Sequence, residues 1–154
     1  MKKALLCILC LCFLVSGTFA QFSIDKIEAG GSLGTNMNSP EGWAFALGVH
    51  GDYEIMENLK VGLQFGFSFS DIFVFEPSVY GKYYLPFLSF FDFVPFAQVD
   101  LGASVISADV TNGSFLFGIG AGVRYEFGKL YVEPKLAWGY PFMLSINAAV
   151  GYSF

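Results

Sequence analysis

From Ser23 onward apolar and polar-or-small residues alternate with a period of two, the spacing of a strand whose side chains point to opposite faces. In the segment Trp43 to Ile55, one face carries Trp43, Phe45, Leu47, Val49, Gly51, Tyr53 and Ile55. The other carries Ala44, Ala46, Gly48, His50, Asp52 and Glu54. The same pattern recurs at Leu59–Ser70, Phe115–Phe127 and Phe142–Phe154, and in weaker copies at Ile27–Gly34, Ser78–Leu85, Ala97–Val105 and Leu130–Gly139. That makes eight predicted strands, an even number. Polar stretches at Thr35–Gly42 and Ser107–Ser114 predict loops, and Asn112-Gly113-Ser114 reads as a turn within the second of these. Met56-Glu57-Asn58 and Gly128-Lys129 predict tight hairpins. Pro77, Pro95 and Pro134 sit within or beside strands and cannot donate a ladder hydrogen bond, so they predict local irregularity.

Composition decides which way the two faces turn. The chain has 154 residues, of which 55% are hydrophobic, 19% aromatic and only 14% charged. A soluble barrel of the same strand count would crowd its outer face with Lys, Glu, Asp and Arg. Here the polar face is mainly Gly, Ala and Ser with isolated charges, which suits the cramped interior of an eight-stranded barrel. The bulky face suits acyl chains, and Trp43, Tyr53, Tyr83, Tyr125, Trp138 and Tyr152 stand toward strand ends, where amphipathic rings favour a membrane interface. The expectation is an all-β, eight-stranded antiparallel up-and-down transmembrane β-barrel. Closure leaves no strand edge unpaired in lipid.

The first 20 residues follow a different pattern. Lys2 and Lys3 precede the apolar run Ala4 to Val15, which is too short to span a membrane, and Thr18-x-Ala20 offers a small-x-small cleavage site. Residues 1–20 are therefore expected to be a signal peptide cleaved after Ala20, and residues 21–154 a single barrel domain. Cys7, Cys10 and Cys12 all lie in the discarded segment, so the mature chain has no thiol for disulfides or metal ligation. Without Lys2 and Lys3, six of the eight basic residues remain against 13 acidic ones, a balance that argues against nucleic acid as a partner.

With the signal peptide, Phe117-Gly-Ile-Gly-Ala-Gly-Val-Arg-Tyr125, Val132-Glu-Pro-Lys-Leu-Ala-Trp138 and Ala148-Ala-Val-Gly-Tyr-Ser-Phe154 resemble the outer-membrane β-barrel domain family that includes the OmpA membrane domain and OmpX. The resemblance implies a bacterial outer-membrane location with both termini periplasmic. It also implies that the terminal aromatics Tyr152 and Phe154 are the signal read by the barrel-assembly machinery. OmpA-like proteins often add a periplasmic peptidoglycan-binding domain, whereas this chain is expected to stop at its barrel. Thr35–Gly42, Ser70-Asp71, Ser107–Ser114 and Gly139–Pro141 would then face outside and could meet an extracellular ligand. The connection Pro86–Phe93 is long and rich in phenylalanine, which fits a turn dipping into headgroups or a patch for a partner.

Candidate chemistry lies in the lumen. Glu28, His50, Asp52, Lys82, Asp100, Arg124, Glu126, Glu133 and Lys135 are expected there as a charge network, together with Glu54, Lys60 and Glu76. Buried charges must be paired or hydrated. Arg124 is the expected hub, because a guanidinium fork can serve two carboxylates. His50 is the only histidine, and with Asp52 on the same face it reads as a satisfied lumen residue rather than a catalytic one. No cofactor or metal site is expected, since there is neither a thiol nor a second histidine. The leading function is a structural or interaction barrel of the envelope, its lumen plugged by ion pairs. A narrow pore for ions or small solutes and a lipid-modifying enzyme are the alternatives.

Overall fold

A computed structural model describes residues 23–38, 42–107 and 111–154. The expected signal peptide with its three cysteines, and the cleavage site after Ala20, lie outside the described residues. Eight strands follow one another: β1 (Ile27–Asn38), β2 (Gly42–Met56), β3 (Leu59–Phe69), β4 (Phe73–Tyr84), β5 (Phe93–Ser107), β6 (Thr111–Phe127), β7 (Leu130–Tyr140) and β8 (Leu144–Ser153). Each pairs antiparallel with the next, and β1 pairs with β8 from Glu28↔Ser153 to Met37↔Leu144, which closes the barrel. Two connections are as tight as their residues allow. Asn58 and Gly128 turn the β2–β3 and β6–β7 hairpins in the left-handed region, at φ 66° and 70°.

Within β1 to β8 the predicted phase holds, with large aliphatic residues outward and most small or charged ones inward. Phe142 and Met143, expected to open the last strand, instead precede it, Met143 exposed and Phe142 lining the lumen. Glu28, Asp52, Lys60, Glu76, Lys82, Asp100, Arg124 and Glu133 are each 8% exposed or less, whereas Leu33, Val49, Leu63, Val79, Leu136 and Val150 are all more than 50% exposed. Charged residues are almost never buried unless partnered, and soluble exteriors do not carry continuous apolar bands. The barrel is thus inside out relative to a water-soluble one.

Strand lengths differ from the expectation. Thr35 to Asn38 extend β1 rather than opening a loop, and β2 begins at Gly42. Likewise β5 runs on to Ser107 and β6 starts at Thr111, so Asn112-Gly113-Ser114 is paired strand, opposite Ser104 to Ile106, and not a turn. Short polar residues hid the alternation there; cross-strand partners on both sides of β1 fix it, and Asn36 turns inward to donate to Ser68 Oγ at 2.8 Å. The face with the expected outer loops is consequently shorter-looped than the sequence suggested.

The prolines sit inside the sheet, which in a closed barrel has no edge to receive them. Pro77 stays paired with Phe65 on β3, while the β4–β5 ladder skips Glu76 and Pro77. Pro134 pairs with Ala148 on β8, while the β6–β7 ladder skips from Gly122↔Lys135 to Tyr125↔Val132. Pro95 retains partners, its carbonyl accepting from Leu85 N at 2.8 Å.

Candidate functional site

The lumen residues come from the inward phase of all eight strands, and the chain divides them into two layers. In the layer toward the termini, Arg124 on β6 reaches across the barrel to Glu28 on β1. Nη2 donates to Glu28 Oε1 at 2.7 Å and Nη1 to Oε2 at 2.8 Å, the fork-to-fork geometry that favours arginine over lysine. Arg124 Nη1 also donates to Glu133 Oε1 and to Tyr84 Oη, both at 3.0 Å, and Nε donates to Glu126 Oε1 at 2.6 Å. Its guanidinium lies 3.8 Å from the centroid of the Tyr131 ring. Around this hub, Lys60 Nζ sits 2.7 Å from Glu28 Oε1, and Lys82 Nζ 2.6 Å from Glu133 Oε2. Tyr84 Oη donates to Glu133 Oε1 at 2.6 Å, and Ser153 Oγ to Glu28 Oε1 at 2.7 Å.

Asp52 joins through Tyr80, whose hydroxyl donates to Oδ1, and through Lys82 Nζ at 3.9 Å. His50 lies beside it, with Nε2 at 2.9 Å from Tyr131 Oη and 3.7 Å from Asp52 Oδ2. Within the barrel three cations, Lys60, Lys82 and Arg124, face three carboxylates, Glu28, Asp52 and Glu133. Each buried charge thereby meets an opposite one, as low-dielectric surroundings require.

Glu54 and Glu76 form no ion pair with a described residue, and three further expected members stand apart. Glu126 shares the inward phase but lies at the terminal rim, its side chain 59% exposed, and touches the network only through Arg124 Nε. Asp100 is buried but forms no ion pair with a described residue; Gln98 Nε2 donates to its Oδ1 at 2.7 Å. Lys135 lies on β7 farther along the lumen and makes no ion pair with a described residue. The second layer, with Glu76, Asp100 and Lys135, is chemically distinct from the first.

Sequence reasoning overlooked the rings that share the lumen. Tyr80, Tyr84, Phe96 and Tyr131 are each 5% exposed or less. They fit because inward glycines stand directly opposite three of them, and opposite His50, on the neighbouring strand. The cross-strand pairs are Gly30↔His50, Gly62↔Tyr80, Phe96↔Gly122 and Tyr131↔Gly151. A Cβ at Gly30 would fall 2.7 Å from His50 Cε1, at Gly62 2.6 Å from Tyr80 Oη, at Gly122 2.6 Å from Phe96 Cζ, and at Gly151 2.6 Å from Tyr131 Cε1. The missing methyls are where the rings lie. The signal was present in the sequence as ring and glycine on the same inward phase of adjacent strands.

At the other extreme of the chain, Tyr152 and Phe154 both face outward at the terminal end, with ring centroids 5.3 Å apart. Phe154 lies one residue beyond β8, yet its N–H donates to Ile27 O at 3.1 Å. The rest of the outward aromatic set follows the expected belts. Tyr83, Tyr125 and Tyr152 stand at the terminal end, and Trp43 and Trp138 near the far end.

No protein-family model matches the sequence, and neither does any curated protein. Solved structures do match in shape. The N-terminal β-barrel domain of Pseudomonas aeruginosa OprF superimposes with a TM-score of 0.65 at 15% identity, covering 84% of this chain and 98% of that one. Neisserial surface protein A gives 0.60 at 13% identity, over 83% of this chain and 96% of that one. The outer membrane enzyme PagL gives 0.50 at 11% identity, over 82% of this chain and 99% of that one. A fold shared by surface proteins and an enzyme assigns no activity by itself. The chain has the closed eight-stranded antiparallel architecture of the small outer-membrane β-barrels.

Proposed function

We propose that this protein is a bacterial outer-membrane barrel with a closed lumen, serving a structural or interaction role in the envelope rather than conducting solutes. The apolar exterior supports the location: a band of half-exposed Leu, Val, Ile and Phe flanked by Tyr and Trp belongs among lipid chains with its ends at the headgroups. In this reading residues 1–20 direct export and are removed after Ala20, Tyr152 and Phe154 present the terminal signal to the barrel-assembly machinery, and both termini are periplasmic. The far-end connections, from Asn38 to Gly42, Ser70–Ile72, from Ser107 to Thr111 and Pro141–Met143, then lie outside the cell and are the place for an extracellular ligand.

The observation that carries the closed-lumen reading is Arg124, 2% exposed and held by Glu28, Glu133, Tyr84 and Glu126 from four sides. Tyr80, Phe96 and Tyr131 are buried in the same lumen, each 5% exposed or less, which supports a filled interior. Opening a path there would strip buried charges of partners in a poorly hydrated space, at a cost of several kcal/mol each. Planar-bilayer recording tests this reading. The purified barrel is expected to be electrically silent, and stepwise conductance from wild-type protein would overturn the plug in favour of a narrow pore.

A further inference from the structure

The two layers of the lumen handle charge differently, and the difference identifies a binding site. Three cations meet three carboxylates in the layer around Arg124. Beyond it, toward the far end, lies a chamber of about 90 Å³ whose polar lining is Asn36, Gln64, Glu76, Ser78, Asp100 and Lys135, with Tyr140, Pro141 and Phe142 at its mouth. Glu76 and Asp100 are both 8% exposed, and neither forms an ion pair with a described residue. Asp100 has the Gln98 amide; Glu76 Oε1, buried and lining the chamber, makes no well-formed hydrogen bond with a described residue. Ser104, which the flanking register sets opposite Glu76, also has an unpartnered Oγ. With both carboxylates ionised, Glu76 and Asp100 against one lysine leave this chamber one negative charge out of balance.

We infer that the outer chamber binds one small univalent cation, of the size of potassium or ammonium, between Glu76 and Asp100. A buried charge must be paired or hydrated, and here the chain supplies too few cations, so the counter-charge comes from solution. The space matches. Roughly 10–15 Å³ of such space is enough to hold one water, so the chamber has room for an ion and a few waters. The ligand set matches as well. Oxygen donors from carboxylate, amide and hydroxyl suit hard cations. Lys135 in the same lining offsets one of the two carboxylates, so one univalent ion balances the chamber and a divalent one would overshoot. The cross-strand partners of both acids are glycines, Gly66 for Glu76 and Gly118 for Asp100, which keep the wall beside each carboxylate bare. The inference is independent of whether the lower layer blocks conduction, because the chamber opens to the far end.

Sodium-23 NMR of the barrel in micelles tests it. Excess line broadening should appear with folded protein, saturate with sodium, and be displaced by potassium or ammonium. Glu76→Gln and Asp100→Asn, each confirmed as folded by heat-modifiable gel migration, should lose the broadening, and Asp71→Asn in the exposed β3–β4 turn should keep it. Crystals soaked in rubidium chloride should show one anomalous peak beside Glu76 and Asp100. Equal broadening in wild-type and both variants would overturn the inference. So would preferential displacement by calcium, or a crystal in which Lys135 Nζ has closed onto the two carboxylates with no rubidium in the chamber.

Discussion

Arg124 and Glu28, 96 residues apart in the chain, meet inside the barrel through two parallel hydrogen bonds of 2.8 and 2.7 Å. Neither residue lies in contact with the other through its own strand: β6 and β1 are separated around the barrel wall by β7 and β8. The pair therefore ties strands three places apart around the cylinder, which backbone pairing alone does not do.

Removing both partners should cost less than the sum of removing each alone. Arg124→Met leaves Glu133 and Glu28 short of a cation in a buried layer, and breaking such a pair costs about 3–5 kcal/mol. The double variant Arg124→Met with Glu28→Gln should lose less than the sum of the two single losses, because contacting residues couple. Urea unfolding in detergent, followed by the shift between folded and unfolded bands, gives the three values. Additive losses would show that the two side chains do not act as a unit.

The ring-to-glycine pairing predicts where the lumen is intolerant. Gly151→Val places its side chain into the Tyr131 ring, and overpacking of this kind costs roughly 1–3 kcal/mol or more. Gly113→Val should cost little on steric grounds, since a Cβ there meets open space. Unfolding midpoints of the two variants decide the matter; similar losses for both would contradict the steric account.

Much of this was legible from residue order. Alternation gave the faces of all eight strands because, in a barrel between lipid and a packed lumen, both environments act at every step along a strand. What escaped was set by partners distant in sequence. The strand character of Thr35–Asn38 and Thr111–Ser114 depends on neighbours that continue beside them, and their small polar residues carry little periodic signal. The lumen charges could be named from phase, yet phase does not tell depth. Glu126 and Arg124 share an inward phase two residues apart, and one ends at the exposed rim while the other is buried. The rings Tyr80, Phe96 and Tyr131 were passed over because aromatic residues on an otherwise small face look like exceptions until register sets a glycine opposite each.

His50 supplies a test of chemistry. Its Nε2 is engaged with Tyr131 Oη inside the network, and no serine is hydrogen-bonded to it among the described residues. Expression of wild-type and His50→Ala protein in cells lacking the native gene should give identical lipid profiles by mass spectrometry. A lipid change that requires His50 would assign an enzymatic role.

The inside-out assignment underlies every one of these expectations, and a nitroxide scan of β2 measures it directly. Spin labels placed one at a time from Trp43 to Val49 in the bilayer-reconstituted barrel should show high collision rates with oxygen at positions 43, 45, 47 and 49, and low rates at 44, 46 and 48. The opposite phase, or odd positions that respond instead to a water-soluble relaxant, would contradict the account.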